Sequence, residues 1–145
     1  MGSDKLLKLE NQLCFSLYAA SRLVTKCYQP VLDELGLTYP QYLVMLVLWE
    51  SDGVSLTTVS QRLQLQSNTL TPLLKRMQEL KLLSRVRSGS DERSIVISLT
   101  EKGKALKAKA PKMVNQLKEN AKLSMDEVLQ LQASLHKLID NLNDQ

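Results

Sequence analysis

Cysteine, histidine, aromatic residues and long apolar runs are all scarce in this chain of 145 residues. Two cysteines, Cys14 and Cys27, cannot supply the framework of paired bridges that holds small secreted domains together. The single histidine, His136, belongs to no Cys/His/carboxylate cluster, so no metal site is expected and His136 reads as an ordinary helix-face residue. Neither a Ser-His-Asp arrangement nor a Gly-rich phosphate loop is present. The longest apolar run, LVMLVLW at 43–49, falls far below the roughly 20 residues that span a bilayer. No N-terminal segment has the make-up of a signal peptide. A soluble, cytoplasmic protein without membrane contact is therefore expected, with thiols that stay reduced unless they do redox work. With 4% aromatic residues, five Gly and four Pro, the chain suits helices better than a sheet sandwich or a loop-rich fold.

What is present is leucine at helical spacing and a mild basic excess, 19 Lys and Arg against 15 Asp and Glu. Leu6, Leu9, Leu13, Leu17, Ala20, Val24 and Cys27 form one stripe, which predicts a helix over 5–29 that Pro30 bends or ends. Thr38, Pro40 and Gln41 have the pattern of a capping box opening a second helix, running to Trp49 and stopping near Asp52-Gly53. Thr57 can cap a short helix over about 58–63, and Ser67 another over about 68–80 with Leu70, Leu73, Leu74, Met77 and Leu80 inward. Two short helices joined by a tight turn outline a helix-turn-helix. Residues 84–100 then alternate with period two around a Gly-Ser-Asp tip, which predicts a hairpin with Ile95, Ile97 and Leu99 on one face. Thr100 caps renewed helical pattern, Pro111 is a candidate kink, and Ser124 to Glu127 open the last helix.

The expected fold is mainly α with a small β-wing: a winged helix-turn-helix domain with long N- and C-terminal dimerisation helices. A single domain over 1–145 is expected, with 36–100 as the winged helix-turn-helix and 5–35 and 101–145 as the dimerising helices. Lys75 and Arg76 on the second short helix and Arg85, Arg87 and Arg93 on the hairpin can neutralise phosphates on either side of a groove. Ser67, Asn68, Thr69 and Thr71 offer short polar side chains to base edges and phosphates. These residues point to double-stranded DNA as a partner.

Four segments, LENQLCFSLYAASR (9–22), LDELGLTYPQYLVMLVLWE (32–50), TLTPLLKRMQ (69–78) and DERSIVISLTEKG (91–103), carry a resemblance. The sequence resembles the MarR family of winged-helix repressors, in its organic-hydroperoxide-sensing, OhrR-type branch. It departs from that branch where LQSNTLTPLLKR stands for the usual LDSGTLTPLLKR. The resemblance implies a homodimer on a palindromic operator, with the recognition helix in the major groove and the wing in the minor groove. It implies Arg93 as the minor-groove arginine, with Asp91 either orienting it or serving as a turn residue.

Cys14 raises a separate question. At 100° per residue it lies with Tyr18, Ser21 and Thr25 beside the apolar face of Leu13, Leu17, Ala20 and Val24, at the edge of the expected core. That position alone favours an inert core thiol. The resemblance implies instead that Cys14 senses organic hydroperoxides, with the hydroxyls of Tyr28 and Tyr39 bonding to the thiolate. Oxidation would give a sulfenic acid and release the operator. No cysteine follows Cys27, unlike the two-cysteine members of the branch, so a small thiol forming a mixed disulfide with Cys14 is expected. Cys27 lies roughly 20 Å along the same helix, too far for a bridge, and is taken as structural. The alternatives are a repressor of the broader family induced by a small phenolic ligand without cysteine oxidation, and a thiol peroxidase. The expectation is a regulator and not an enzyme, with no cofactor.

Overall fold

The computed structural model describes residues 2–89 and 94–144. A short helix α1 (Ser3–Leu6) and a 3-10 turn (Leu9–Asn11) lead into the long α2 (Leu13–Leu35). Then follow α3 (Tyr39–Glu50), β1 (Val54–Ser55), α4 (Leu56–Leu63), α5 (Ser67–Glu79), β2 (Leu83–Arg87) and β3 (Ile95–Leu99). The chain closes with α6 (Glu101–Ala105), a 3-10 turn (Leu106–Lys109), α7 (Pro111–Ala121) and α8 (Met125–Asn143). The strands form an antiparallel sheet in the order β1-β3-β2, with Arg85 opposite Ile97 and Val54 on its other side. This is the mainly α, winged helix-turn-helix arrangement expected from the sequence.

Four expected boundaries change. The stripe beginning at residue 5 is not one helix: Gln12 is extended, with its side-chain amide bonded to the Leu6 and Lys8 carbonyls, and α2 starts only at Leu13. Pro30 does not end α2. Val31, Leu32 and Leu35 beyond it are buried, at about 1.5–3 kcal/mol each, which outweighs the cost of about 3 kcal/mol for an internal proline. α4 is capped by Ser55, whose hydroxyl accepts from the Thr58 amide at 3.1 Å, and not by Thr57, because β1 feeds straight into the helix. In α5 the extended residue is Gln66, while Ser67 is already helical, so Ser67 is not the cap.

Elsewhere the local signals hold. Thr38 and Gln41 make both bonds of the capping box, at 3.4 and 3.0 Å, and so do Ser124 and Glu127, both at 3.1 Å. α2 ends at Gly36, whose left-handed φ of 72° lets the Leu37 amide reach the Leu32 carbonyl at 3.0 Å. The buried cluster joins Val44, Met45 and Leu48 of α3 to Leu70, Leu74 and Met77 of α5, and to Leu83, Ile97 and Met113. It sits under the helix-turn-helix and wing. By contrast α8 buries none of its side chains, and Leu13, Phe15, Leu23, Leu129, Leu131 and Ile139 are exposed.

Candidate functional site

The helix-turn-helix is closed by Gln64, in the left-handed region at φ 59°, and by the Leu65 amide donating to the Ser60 carbonyl at 3.1 Å. This fixes α5 against α4 with Leu70, Leu74 and Met77 inward. The opposite face of α5 therefore presents Asn68, Thr69, Pro72, Lys75 and Arg76, all exposed. Ser67 and Thr71 lie at the edge, half-buried, and the Thr71 hydroxyl donates to the Ser67 carbonyl at 2.8 Å. No side chain caps the first turn of α5, so its amide donors are open to an anion.

Arg76 pairs with Glu79 at 3.3 Å, and Arg85 donates from Nε to the Gln78 side chain at 3.0 Å. The second bond ties the wing strand β2 to the recognition helix, a link the sequence reading missed. Arg87 is exposed at the far end of β2. Asp91 and Arg93 lie outside the described residues. Asp52 anchors the hairpin from below: its Oδ1 accepts from the Leu99 amide at 2.8 Å and from the Gly53 amide at 2.9 Å.

Cys14 is the second residue of α2 and is exposed, not half-sheltered as its helical position suggested. Cys27 is half-buried between α2 and α7, with its Sγ donating to the Gln116 carbonyl at 3.6 Å. Both thiols are free and share one continuous helix, so no bridge can join them within a chain. Tyr28 and Tyr39 stack with ring centroids 6.0 Å apart and planes 20° from parallel. Tyr28 is 14 residues, about 21 Å, along α2 from Cys14. The single chain thus brings the two tyrosines together and leaves Cys14 apart from them.

Burial first, then the neighbouring phenols of Tyr39 and Tyr42 and the Cys27 thiol, pushes the Tyr28 hydroxyl above its ordinary value. Burial does the same to Tyr39. Both remain protonated, hence hydrogen-bond donors, at neutral pH. The row continues through Tyr42 and Trp49, which the sequence reading had not joined to it. The spacing 39, 42, 49 places the three rings on one helix face, a signal available beforehand. A cavity of about 500 Å³ beside Tyr39, lined also by Thr25, Gln29, Asp33, Gln41 and Arg76, lies between this region and α5.

Among the described residues no group of side chains fits a metal ion, and no helix is long and apolar enough to cross a membrane. Residues 26–110 match the family model of the SarA/Rot transcriptional regulators. The chain is 48% identical over 137 residues to the organic hydroperoxide resistance transcriptional regulator of Bacillus subtilis (strain 168), covering 94% of this chain and 93% of that one. It is 39% identical over 132 residues to the regulator MgrA of Staphylococcus aureus, covering 90% of each. Among solved structures, overoxidised AbfR bound to DNA superposes with a TM-score of 0.78 at 35% identity, over 97% of this chain and 99% of that one. Reduced AbfR bound to DNA gives 0.75, and its disulfide form 0.66. The chain belongs to the MarR-type winged helix-turn-helix transcriptional regulators, on the branch of the organic hydroperoxide resistance regulators.

Proposed function

We propose that this regulator is a homodimeric, DNA-binding repressor that leaves a palindromic operator when organic hydroperoxide oxidises Cys14. In this reading 36–100 engage DNA, while 5–35 and 101–145 dimerise. The observation that carries it is the layout along α2: an exposed thiol in its first turn and, about 21 Å further on, Tyr28 stacked against Tyr39 of α3. The exposed apolar residues of α2 and α8 are the surface a second copy would bury, and the proposed dimer is one in which Cys14 of one chain comes beside the tyrosine pair of the other. Helix N-termini and phenol donors both favour an anion.

The thiolate Sγ attacks the peroxide, the O–O bond breaks, and sulfur keeps one oxygen as the sulfenic acid. The alkoxide takes up the proton that the thiol had lost and leaves as an alcohol. A small thiol then displaces the sulfenic oxygen as water, leaving a mixed disulfide on Cys14. Higher oxidation is not the expected release signal, since AbfR has been solved on DNA in an overoxidised form. On the DNA side, support comes from the exposed face of α5 with Asn68, Thr69, Lys75 and Arg76, its uncapped first turn, and Arg85 and Arg87 on β2. Ser67 and Thr71 flank that face, and Asp91 and Arg93 complete the proposed wing contacts.

Operator gel shifts with cumene hydroperoxide and a small thiol test this reading. The wild type should be released with one thiol adduct per chain by intact mass, and Cys14→Ser should stay bound. Release of Cys14→Ser by peroxide would sink the reading. Release of the wild type by a phenolic compound alone would favour the ligand-induced alternative.

A further inference from the structure

Tyr28, Tyr39, Tyr42 and Trp49 form an unbroken row, with successive ring centroids 6.0, 6.3 and 6.3 Å apart. The row does not end in the core. The indole Nε1 of Trp49 donates to the Gly103 carbonyl at 3.0 Å, crossing from α3 to the first helix after the wing. Gly103 in turn sits where no side chain fits: a Cβ there would lie 2.2 Å from the Leu82 carbonyl oxygen. That same carbonyl accepts from the Thr100 amide at 3.1 Å, and the Thr100 hydroxyl donates to the Lys81 carbonyl at 2.6 Å. Residues 81–82 lead into β2 and Thr100 follows β3, so both feet of the wing meet at Gly103.

We infer that Trp49 is a positioning residue that passes the arrangement of the Tyr28–Tyr39 pair to the base of the wing. The physical reason is lack of slack. Ring contacts at 6 Å centroid separation are close packing, and packed contacts switch between discrete arrangements more readily than they deform. At the other end, the Gly103 backbone is already against the Leu82 backbone, so a displacement of Trp49 cannot be absorbed between them. It moves the feet of the hairpin, and with them the basic strand β2 that Arg85 links to α5. The indole bond spans 54 positions of sequence, so it ties α3 to α6 rather than closing a local turn. This inference rests on the proposed oxidation of Cys14 beside the tyrosines.

The test compares operator affinity before and after cumene hydroperoxide plus a small thiol, in wild type, Cys14→Ser and Trp49→Phe. Trp49→Phe keeps a ring in the row and removes the N–H donor. Its ratio of oxidised to reduced dissociation constants should fall about tenfold relative to wild type, within the usual range of coupling between sites, while intact mass shows the same Cys14 adduct. A ratio equal to wild type overturns the inference and leaves the proposed function standing. A wild type that peroxide does not release, or a Cys14→Ser that it does, removes the proposed function and this inference together. Should Trp49→Phe not fold, wild-type fluorescence decides, because Trp49 is the sole tryptophan. Its emission maximum should shift when Cys14 is oxidised in the absence of DNA, and an unchanged spectrum overturns the inference.

Discussion

Single side chains set the sharpest expectations, and Gly103 is the sharpest of them. A methyl group placed 2.2 Å from a backbone oxygen forces main chain to move. Gly103→Ala should therefore lower stability by about 1–3 kcal/mol in a denaturant titration, where the same change at an unhindered helix position would raise it. Lys75 faces outward on α5 with no ion pair among the described residues, so its role should be electrostatic and independent of sequence. Lys75→Ala should weaken operator and random DNA alike and reduce the salt slope of log K by about 1. The tyrosines make a prediction on the pH axis. Burial raises the values of Tyr28, Tyr39 and Tyr42 above 10.0, so the folded chain holds these protons more tightly than the unfolded one. Their contribution is complete below the ordinary tyrosine value and disappears as pH rises through the folded values. The thermal midpoint should fall above pH 10, in step with phenolate absorbance; phenolate appearing at the unperturbed value without loss of stability would contradict this.

At the scale of elements, the capping box of α3 is complete and local, so Thr38→Ala should cost about 1 kcal/mol by thermal unfolding. Such features were legible because their causes lie within a few residues: Thr38 with Gln41, Ser124 with Glu127, the period of Leu70, Leu74 and Met77, the alternation of Ile95 and Ile97. The hidden features depend on distant partners. β1 is a strand only because Val54 and Ser55 pair with Ile97 and Val96, and two residues carry no period of their own. Pro30 reads as a helix end until the burial of Leu32 and Leu35 is known. Cys14 looked like the border of a core because its stripe is apolar, yet α2 meets no core of its own chain at that end. The Tyr28–Tyr39 pair came from resemblance, while its extension through Tyr42 to Trp49 required the packing of α2 on α3.

For the molecule as a whole, the exposed leucines of α2 and α8 are the main unsatisfied feature of the single chain. A charge in that surface, Leu131→Glu, should shift sedimentation toward the monomer and weaken operator binding, with the reduced thiols at 14 and 27 untouched. Unchanged sedimentation would place the dimer contact elsewhere. The bare α8 also bears on how the regulator responds to its own abundance. If its helices gain their burial only by pairing, folding and assembly share one free energy, and the melting temperature rises with protein concentration. Two chains must then meet before either can occupy a half-site, so where monomer predominates and DNA is unsaturated, occupancy grows with the square of expression rather than in proportion to it. In that regime a cell making half as much of this chain would hold about a quarter of the dimer, and operator occupancy would fall with it.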